Sequence, residues 1–323
     1  MSKIITNYDE TPYNVKALNS IFSPAKVVFA GESLSQILDF TFDIAILKNP
    51  NVNPILYGAD SKIQWIHCNV AGLDSVDLKS ILAKNIKITG AAGRSADALA
   101  EHVFYFLLNH IYKCKQLIYN QQNHIWDQNP LKTSGSLEGC TLGIIGFGNT
   151  GKAILEKANA FKMNVIAYSY RNISDEYELA KKYSFENGDS ILPLVEQSDF
   201  IALATSLNDK TFHIINKEIF SHMKKSAMLI NISRGAIIKE EDLIEALRDG
   251  KIAGAGLDVF EEEPLSKNSP LWDLPNVYVT PHATPHLPNF NANCFKIIKE
   301  NYARYLKKEP LLNQMQKRDI LSH

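Results

Sequence analysis

The stretch LGIIGFGNTGKAI restricts the fold of this chain more than any other segment. Its glycines, Gly146, Gly148 and Gly151, have the spacing G-x-G-x-x-G. An apolar segment over residues 141 to 145 precedes them, and a helical pattern begins near Thr150. Glycine permits a tight strand-to-helix turn and lets the backbone approach a pyrophosphate at a helix N-terminus. The segment therefore predicts a dinucleotide-binding βαβ unit, and the alternative is a tight turn that binds nothing.

Short apolar segments alternate with amphipathic ones along most of the chain. Five strand-like segments precede residue 95, namely KIIT, KVVFA, DIAIL, IQWIHC and IKIT. Six more follow residue 140, namely TLGIIG, NVIAY, DFIALAT, AMLINIS, AGAGLDVF and NVYVT. Strands that alternate with helices predict parallel sheets in an α/β fold. Six such strands complete a doubly wound (Rossmann) coenzyme domain.

Three helical patterns frame these strands. The segment SADALAEHVFYFLLNHIYKCKQ is apolar over a wide face, which predicts packing between domains or against a second subunit. The segment KEEDLIEALRDGK is expected to end at Gly250. The last helix, ANCFKIIKENYARYLKK, has no strand after it and is expected to return to the first domain. The predicted domains are therefore 1–95 completed by 290–323, and 96–289.

The composition narrows the class of protein. A length of 323 residues suits two domains of about 150 residues each. Hydrophobic residues at 45%, charged residues at 21% and a net charge of −1 indicate a globular protein with no nucleic-acid or membrane partner. No apolar run reaches the roughly 20 residues of a membrane span, and no secretory signal is recognisable. The four scattered cysteines predict neither a metal site nor a disulfide framework, so a cytoplasmic location is expected.

Polar residues follow the strands of the second series, at the edge where open parallel sheets bind ligands. They are Thr205, Ser206, Ser233, Arg234, Asp258, Glu263 and His282. An arginine, an acid and a histidine on one edge suit the reduction of a 2-oxo acid. The arginine binds the carboxylate, the histidine donates a proton, and the acid keeps that histidine charged.

Each of these charged residues has a structural alternative. Arg234 is then a surface loop arginine, and His282 is a buried histidine whose hydrogen bonds are satisfied. The acids Glu261, Glu262 and Glu263 are then a solvated loop before Pro264. Their coincidence at successive strand ends beside the glycine turn favours a catalytic site.

Seven motifs, in this order and spacing, resemble the D-isomer-specific 2-hydroxyacid dehydrogenase family over nearly the whole chain. They are VAGLDSVDL, SADALAEHVFYFLL, LEGCTLGIIGFGNTGKAI, SDFIALATSLNDKTFHII, MKKSAMLINISRGAII, AGAGLDVFEEEPL and NVYVTPHAT. The resemblance implies a smaller flavodoxin-like α/β substrate domain beside the Rossmann domain, and an NAD(P)-dependent dehydrogenase. With the broad apolar face of residues 96 to 113, it also implies a homodimer.

The resemblance implies a role for particular residues. Arg234 holds the substrate carboxylate, His282 is the acid/base, and Glu263 pairs with His282, a position that Glu261 and Glu262 do not match. The backbone amides of Ala71 and Gly72 bind the carboxylate. The cofactor is contacted by the three glycines and by Asn149, Thr150, Ser169, Tyr170, Arg171, Thr205, Ser206, Ile232, Ser233, Arg234, His282 and, at the nicotinamide carboxamide, Asp258.

The end of the second strand, NVIAYSYRN, departs from the usual dinucleotide pattern. An acid normally binds the adenosine ribose there, whereas this chain has Ser169 and then Arg171. Serine removes the repulsion of a 2′-phosphate, and Arg171 can reach that phosphate with a charge-assisted hydrogen bond. The pair predicts NADPH as the preferred cofactor, with NADH second, and family members that use NADPH carry a similar pair. The alternative is that Arg171 stacks on the adenine or points to solvent, and the nearby Asp175 and Glu176 would weaken the effect.

Within the family, the chain resembles reductases of small 2-oxo acids, so glyoxylate and hydroxypyruvate are the expected substrates. The substrate pocket is expected to draw on the loop that includes Leu47 and Lys48. A second departure is Ser206, where the family often has a proline, and it affects the expected shape of that loop. The alternative function is an NAD(H)-sensing binding protein, like the corepressors that share this fold, although the sequence contains no obvious partner-binding tail.

Overall fold

A computed structural model describes residues 2–31, 41–133, 135–283 and 290–322. The last residue of the NVYVTPHAT motif and the end of the predicted coenzyme domain, at 284–289, lie outside the described residues, as do 1, 32–40, 134 and 323. The chain divides into two compact units, Met1–Ser95 with Leu287–His323, and Ala96–His286. Among the described helices, none combines the length and the apolar character that crossing a membrane requires.

The first unit contains a parallel five-stranded sheet. Its strands are β1 (Lys3–Thr6), β2 (Lys26–Phe29), β3 (Ile44–Leu47), β4 (Trp65–Cys68) and β5 (Lys87–Thr89). They lie in the order β2-β1-β3-β4-β5, all parallel, which is the flavodoxin-like order. All five strands predicted from apolar segments are present, and the flavodoxin-like α/β fold is confirmed.

Helices cover both faces of this sheet. They are α1 (Pro12–Phe22), α2 (Leu78–Ala83) and α9 (Phe290–Leu306). The central strands β3 and β4 are buried along their whole length, because a parallel sheet with helices on both faces has no solvated side. On α9, Tyr302 packs edge-on against Phe22 of α1, with 4.7 Å between the ring centroids. The C-terminal helix therefore shares a core with the first five strands.

The second unit contains a parallel sheet of seven strands. They are β6 (Thr141–Ile145), β7 (Asn164–Ser169), β8 (Lys181–Ser184), β9 (Phe200–Leu203), β10 (Met228–Asn231), β11 (Gly254–Leu257) and β12 (Val277–Val279). Their order is β12-β11-β10-β9-β6-β7-β8, so the direction of winding reverses between β6 and β9. This is the doubly wound order, with its ligand crevice at the reversal.

The predicted count of six strands in this sheet is corrected to seven. The additional strand, β8, has the sequence KKYS and pairs only with β7, at the edge of the sheet. Its two lysines in four residues leave no apolar run. The strand can still form, because an edge strand needs little burial to make its hydrogen bonds. Sequence patterns that rely on hydrophobicity therefore miss it.

The helices of this unit are α3 (Ala96–Ile111), α4 (Cys114–Gln122), α5 (Asn149–Ala160), α6 (Leu192–Gln197), α7 (Lys217–His222) and α8 (Glu240–Arg248). The single long helix predicted from Ser95 is wrong, because it is interrupted between α3 and α4. Lys113 has a φ of 51°, in the left-handed region, where the helical hydrogen-bond ladder cannot continue. As expected, α8 is followed by Gly250, whose φ is +63°.

Candidate active site

The glycine turn between β6 and α5 has the shape of a pyrophosphate site. Gly146 has a φ of +101°, and a side chain there would collide with the backbone of Ala204 after β9. A side chain at Gly151 would collide with the carbonyl oxygen of Gly146. The space around Gly148, the N-cap of α5, is open among the described residues, and glycine brings no side-chain acceptor to the first-turn amides. An anion bound at this helix N-terminus would satisfy them, so the turn fits a dinucleotide.

The edge formed by β7 and β8 carries a hydroxyl and a cation where an acid would bind NADH. Ser169 is the last residue of β7 and lies in register with Ser184 of β8. Arg171 is exposed two residues further on. Of the two nearby acids, Asp175 forms an ion pair with Lys182 at 3.0 Å, which reduces its effect on a bound phosphate. Glu176 is exposed.

The loop after β9 contains the predicted cofactor contacts Thr205 and Ser206. The hydroxyl of Thr211 donates a hydrogen bond to the carbonyl oxygen of Ser206 at 2.7 Å. The same hydroxyl accepts the amide of Asn208 at 2.9 Å. Two hydrogen bonds thus maintain the turn at the position where the family often has a proline.

Arg234 lies in a turn that a buried asparagine holds in place. Asn231, the last residue of β10, is fully buried and accepts both the amide and the hydroxyl of Ser233, at 3.0 and 2.8 Å. Its side-chain amide donates to the carbonyl oxygen of Arg234 at 2.8 Å. Ile232 is buried beside them. Asn231 was absent from the predicted site, although a polar residue at the end of an otherwise apolar strand could have indicated it.

The turns after β10 and β11 lie in direct contact. A side chain at Gly235 would overlap the carbonyl group of Phe260, so only glycine allows this approach. The turn that carries Arg234 therefore lies against the loop that carries Glu263.

Asp258 organises the segment that contains His282. It is 1% exposed, and its Oδ1 accepts the hydroxyl of Thr280 at 2.6 Å and the amide of Ala283 at 3.0 Å. Its backbone carbonyl accepts the amide of His282 at 2.8 Å. The imidazole of His102, on α3, contacts the Thr280 hydroxyl, and burial lowers the pKa of His102 while Asp258 opposes that shift. The expected contact of Asp258 with the nicotinamide carboxamide stays a prediction.

His282 and Glu263 form a close pair at this edge. Nδ1 of His282 lies 2.6 Å from Oε2 of Glu263. The other carboxylate oxygen, Oε1, accepts the amide of Phe260 at 3.0 Å, so the carboxylate is fixed at both oxygens. Among the described residues, Nε2 of His282 has no hydrogen-bond partner, which leaves it for a substrate. A histidine oriented in this way by a carboxylate can transfer a proton through Nε2.

A second histidine–glutamate pair, absent from the predicted site, joins the loop that carries Glu263 to the segment after β9. Oε1 of Glu261 lies 2.6 Å from Nε2 of His213 and also accepts the amide of Glu240, at the start of α8, at 3.2 Å. The amide of Glu261 donates in return to Oε2 of Glu240 at 3.3 Å. His213 also donates its backbone amide to Ala236, in the turn after Arg234. Glu261 thus connects its loop to His213 and to the start of α8, while the residue itself remains exposed.

The predicted carboxylate-binding amides belong to the other unit. Ala71 and Gly72 follow β4, at the carboxyl end of its sheet, and the preceding carbonyl of Val70 accepts the amide of Ala91 at 2.7 Å. Neither the Ala71 nor the Gly72 amide donates a hydrogen bond to another described residue, which suits them to bind an anion.

The two residues expected at the substrate pocket, Leu47 and Lys48, differ in their burial and their contacts. Leu47 is the last residue of β3 and not part of the loop, and it is fully buried in the core, so its expected place in the substrate pocket is corrected. Lys48 follows it at the strand end, where its ammonium forms an ion pair with Asp9 at 3.1 Å.

Comparison with known proteins agrees with this fold. Residues 104–284 match the model of the D-isomer specific 2-hydroxyacid dehydrogenase NAD binding domain. The chain is 30% identical to the glyoxylate reductase of Korarchaeum cryptofilum over 280 residues, which are 85% of this chain and 82% of the relative. It is 35% identical to the glyoxylate reductase of Thermococcus litoralis over 269 residues, 81% of this chain and 79% of the relative.

A solved structure supports the same assignment. The NADPH-dependent glyoxylate/hydroxypyruvate reductase of Sinorhizobium meliloti, solved with NADP and sulfate, superposes with a TM-score of 0.78 at 25% identity. The similarity covers 98% of this chain and 99% of that one. This chain belongs to the D-isomer specific 2-hydroxyacid dehydrogenase family.

Proposed function

We propose that this protein reduces a small 2-oxo acid, glyoxylate or hydroxypyruvate, to the D-2-hydroxy acid with NADPH. The observation that carries the proposal is the contact between His282 and Glu263, 2.6 Å long, which directs Nε2 of the histidine away from the acid. The turn of Arg234 and the glycine turn after β6 lie on the same edge of the sheet. Relatives described as glyoxylate reductases support the choice of substrate.

Each charged residue has a distinct task in this reaction. A nicotinamide cofactor held at the glycine turn would supply a hydride to the carbonyl carbon of the substrate. Arg234 binds the carboxylate through two parallel hydrogen bonds and holds the carbonyl group in place. Nε2 of His282 donates a proton to the carbonyl oxygen, and Glu263 stabilises the imidazolium before that transfer. The proton on His282 is then replaced from solvent.

Turnover of a panel of 2-oxo acids tests the reaction. Glyoxylate, hydroxypyruvate, pyruvate and 2-oxoglutarate are each offered with NADPH, and consumption is followed by the loss of reduced-nicotinamide absorbance. We expect glyoxylate or hydroxypyruvate to have the highest kcat/KM. Binding of NADPH without turnover of any 2-oxo acid would contradict the proposal and favour a nucleotide-sensing binding protein.

The preference for NADPH rests on Ser169 and Arg171, with Asp175 neutralised by Lys182. A charge-assisted hydrogen bond to a phosphate contributes about 1.5–3 kcal/mol, or roughly ten- to a hundredfold in affinity. We expect kcat/KM to be higher for NADPH than for NADH, and the ratio to fall in the double variant Ser169→Asp with Arg171→Ala. A ratio of one or less in the wild type, or an unchanged ratio in the variant, would contradict this preference.

The homodimer is proposed from exposed apolar side chains on α3, in the connection between α3 and α4, on α4 and just after α4. They are Tyr105, Tyr112, Ile118, Tyr119, Ile125 and Trp126, the last of which is 93% exposed. A second copy of this chain would remove them from water. Light scattering at micromolar concentration should show a dimer that Trp126→Glu weakens. The control Leu306→Glu, at an exposed leucine on α9, should leave it intact, and a monomeric wild type would contradict the proposal.

A cytoplasmic location is proposed from the cysteines. All four are unpaired, and Cys68 and Cys294 are buried. Free thiols persist in a reducing compartment. Recovery of the native protein in a secreted fraction would contradict this location.

A further inference from the structure

A lysine from the loop after β9 lies on two aromatic rings beside Ser169. Nζ of Lys210 is 4.0 Å from the ring centroid of Phe185 and 4.8 Å from that of Tyr170. We propose that Lys210 is a second cation of the 2′-phosphate site and a determinant of the preference for NADPH over NADH. This inference rests on the cofactor preference proposed above.

The two rings, Tyr170 and Phe185, form an aromatic platform at the ends of β7 and β8. Tyr170 directly follows Ser169, and Phe185 directly follows Ser184, its partner in register on β8. The two rings stack with 5.3 Å between their centroids and 18° between their planes. The carbonyl of Tyr170 also accepts the amide of Glu186 at 3.1 Å. The ammonium of Lys210 therefore contacts the ring of the residue that directly follows Ser169.

The loop that carries Lys210 is ordered by its own hydrogen bonds. The amide of Lys210 donates to Oδ1 of Asn208 at 2.9 Å, and Thr211 binds both Ser206 and Asn208. Since β6 lies between β9 and β7 in the sheet, the lysine reaches across the strand that carries the glycine turn. A dinucleotide that extends from that turn to Ser169 would pass next to its ammonium.

The partners of the ammonium leave its charge in place. A carboxylate would neutralise Lys210, whereas a ring face at an exposed site attracts a cation only weakly. Within the described parts of the chain, these two rings are the contacts of the ammonium. A dianionic phosphate would therefore be the stronger partner, and a ribose hydroxyl, as in NADH, would gain little from it.

Binding of the reduced cofactors, without any substrate, tests the proposal. Dissociation constants for NADPH and NADH are measured by fluorescence titration of the wild type, Lys210→Met and Lys225→Met. Lys225 is an exposed lysine before β10, at the opposite end of the sheet, so its variant controls for net charge. We expect Lys210→Met to weaken NADPH binding about tenfold and NADH binding less than about twofold, and Lys225→Met to change neither. Phe185→Leu, which removes half of the platform, should weaken NADPH binding selectively but less.

The outcomes separate the two proposals. If the wild type binds NADPH no more tightly than NADH, the cofactor preference fails and the role of Lys210 fails with it. If the wild type prefers NADPH and Lys210→Met keeps the full preference, only the role of Lys210 is overturned. Equal weakening of both cofactors by Lys210→Met also overturns it, because the lysine would then act on the part that the two cofactors share.

Discussion

Two glutamates of the loop after β11 each contact a histidine from another segment, and the two histidine–glutamate pairs have nearly the same geometry and exposure. His282 and Glu263 are 2.6 Å apart, and so are His213 and Glu261. The φ angles of the two histidines are 48° and 50°, both in the left-handed region. Their side chains are 44% and 30% exposed. Distance, backbone conformation and exposure therefore do not distinguish the two pairs.

The nitrogen that each glutamate contacts does distinguish the pairs. Glu263 contacts Nδ1 of His282, the ring nitrogen nearer the backbone, so the outer Nε2 can meet a substrate. Glu261 contacts Nε2 of His213, and the outer nitrogen of that ring is therefore occupied. Under the proposed function, the same two residue types thus give a proton donor in one case and a structural contact in the other.

The remaining contacts of the glutamates agree with this division. Glu263 accepts the amide of Phe260, within its own turn, and so is fixed for the ring of His282. Glu261 accepts the amide of Glu240 at the start of α8, where a negative charge also interacts favourably with the helix dipole. Burial raises the pKa of Glu240, and the charges of Glu261 and Glu262 add to that shift. Glu263 thus orients the ring of His282, whereas Glu261 connects its loop to the start of α8.

Replacing each histidine by asparagine gives the largest expected difference. His282→Asn should lower kcat about 10²–10⁴-fold, because the general acid is removed, while the dissociation constant for NADPH stays near the wild-type value. His213→Asn, the matched change, should lower kcat by only about twofold, because this histidine is not the general acid. Comparable kcat losses in the two variants would erase the distinction between the pairs.

The next largest effect is expected at Arg234, in the turn that lies against the loop of the two glutamates. Arg234→Lys should lower kcat/KM about ten- to a hundredfold, because a lysine keeps the charge but cannot form two parallel hydrogen bonds to a carboxylate. The control is Arg248→Lys, at the exposed end of α8, for which no loss is expected. Near-normal kcat/KM in Arg234→Lys would make this arginine a structural residue.

The two glutamates should differ in their effect on the pH profile of reduction. In Glu263→Gln a neutral amide replaces the charge that favours the imidazolium, so the alkaline limb of the kcat profile should move to lower pH. Activity is then lost as pH rises, because the proton donor is lost earlier. Glu261→Gln should leave the limb in place. A profile that shifts in Glu261→Gln but not in Glu263→Gln would reverse the assignment.

The smallest expected effect is on thermal stability. Here the pair of His213 and Glu261 should matter more than the pair of His282 and Glu263. Glu261→Gln removes the charge of a partly exposed ion pair, and the same charge also lies at a helix N-terminus. The two losses together should lower the free energy of unfolding by about 1 kcal/mol. For a unit of this size the midpoint of thermal unfolding should fall by about 2–4 °C. A double-mutant cycle with His213→Gln measures the coupling directly, and a coupling of zero would show that the contact does not stabilise the loop.

Much of the fold follows from local patterns. The buried strands of both sheets are apolar runs, so their positions and the parallel α/β fold were predictable. The edge strand β8 and the interruption at Lys113 were not, because the first depends on a backbone partner and the second on one residue's φ angle. Hydrophobic periodicity reports neither.

The candidate site divides in the same way. The sequence by itself determined that Arg234, Asp258 and His282 meet at one edge, because the carboxyl ends of parallel strands always share an edge. It also determined the glycine turn, whose spacing is a local requirement. Only the tertiary structure decided that Glu261 contacts His213, through which nitrogen each of the two pairs is formed, and that Lys210 lies on Tyr170 and Phe185. Those contacts depend on how loops from separate strands are packed, and no local pattern along the chain encodes that packing.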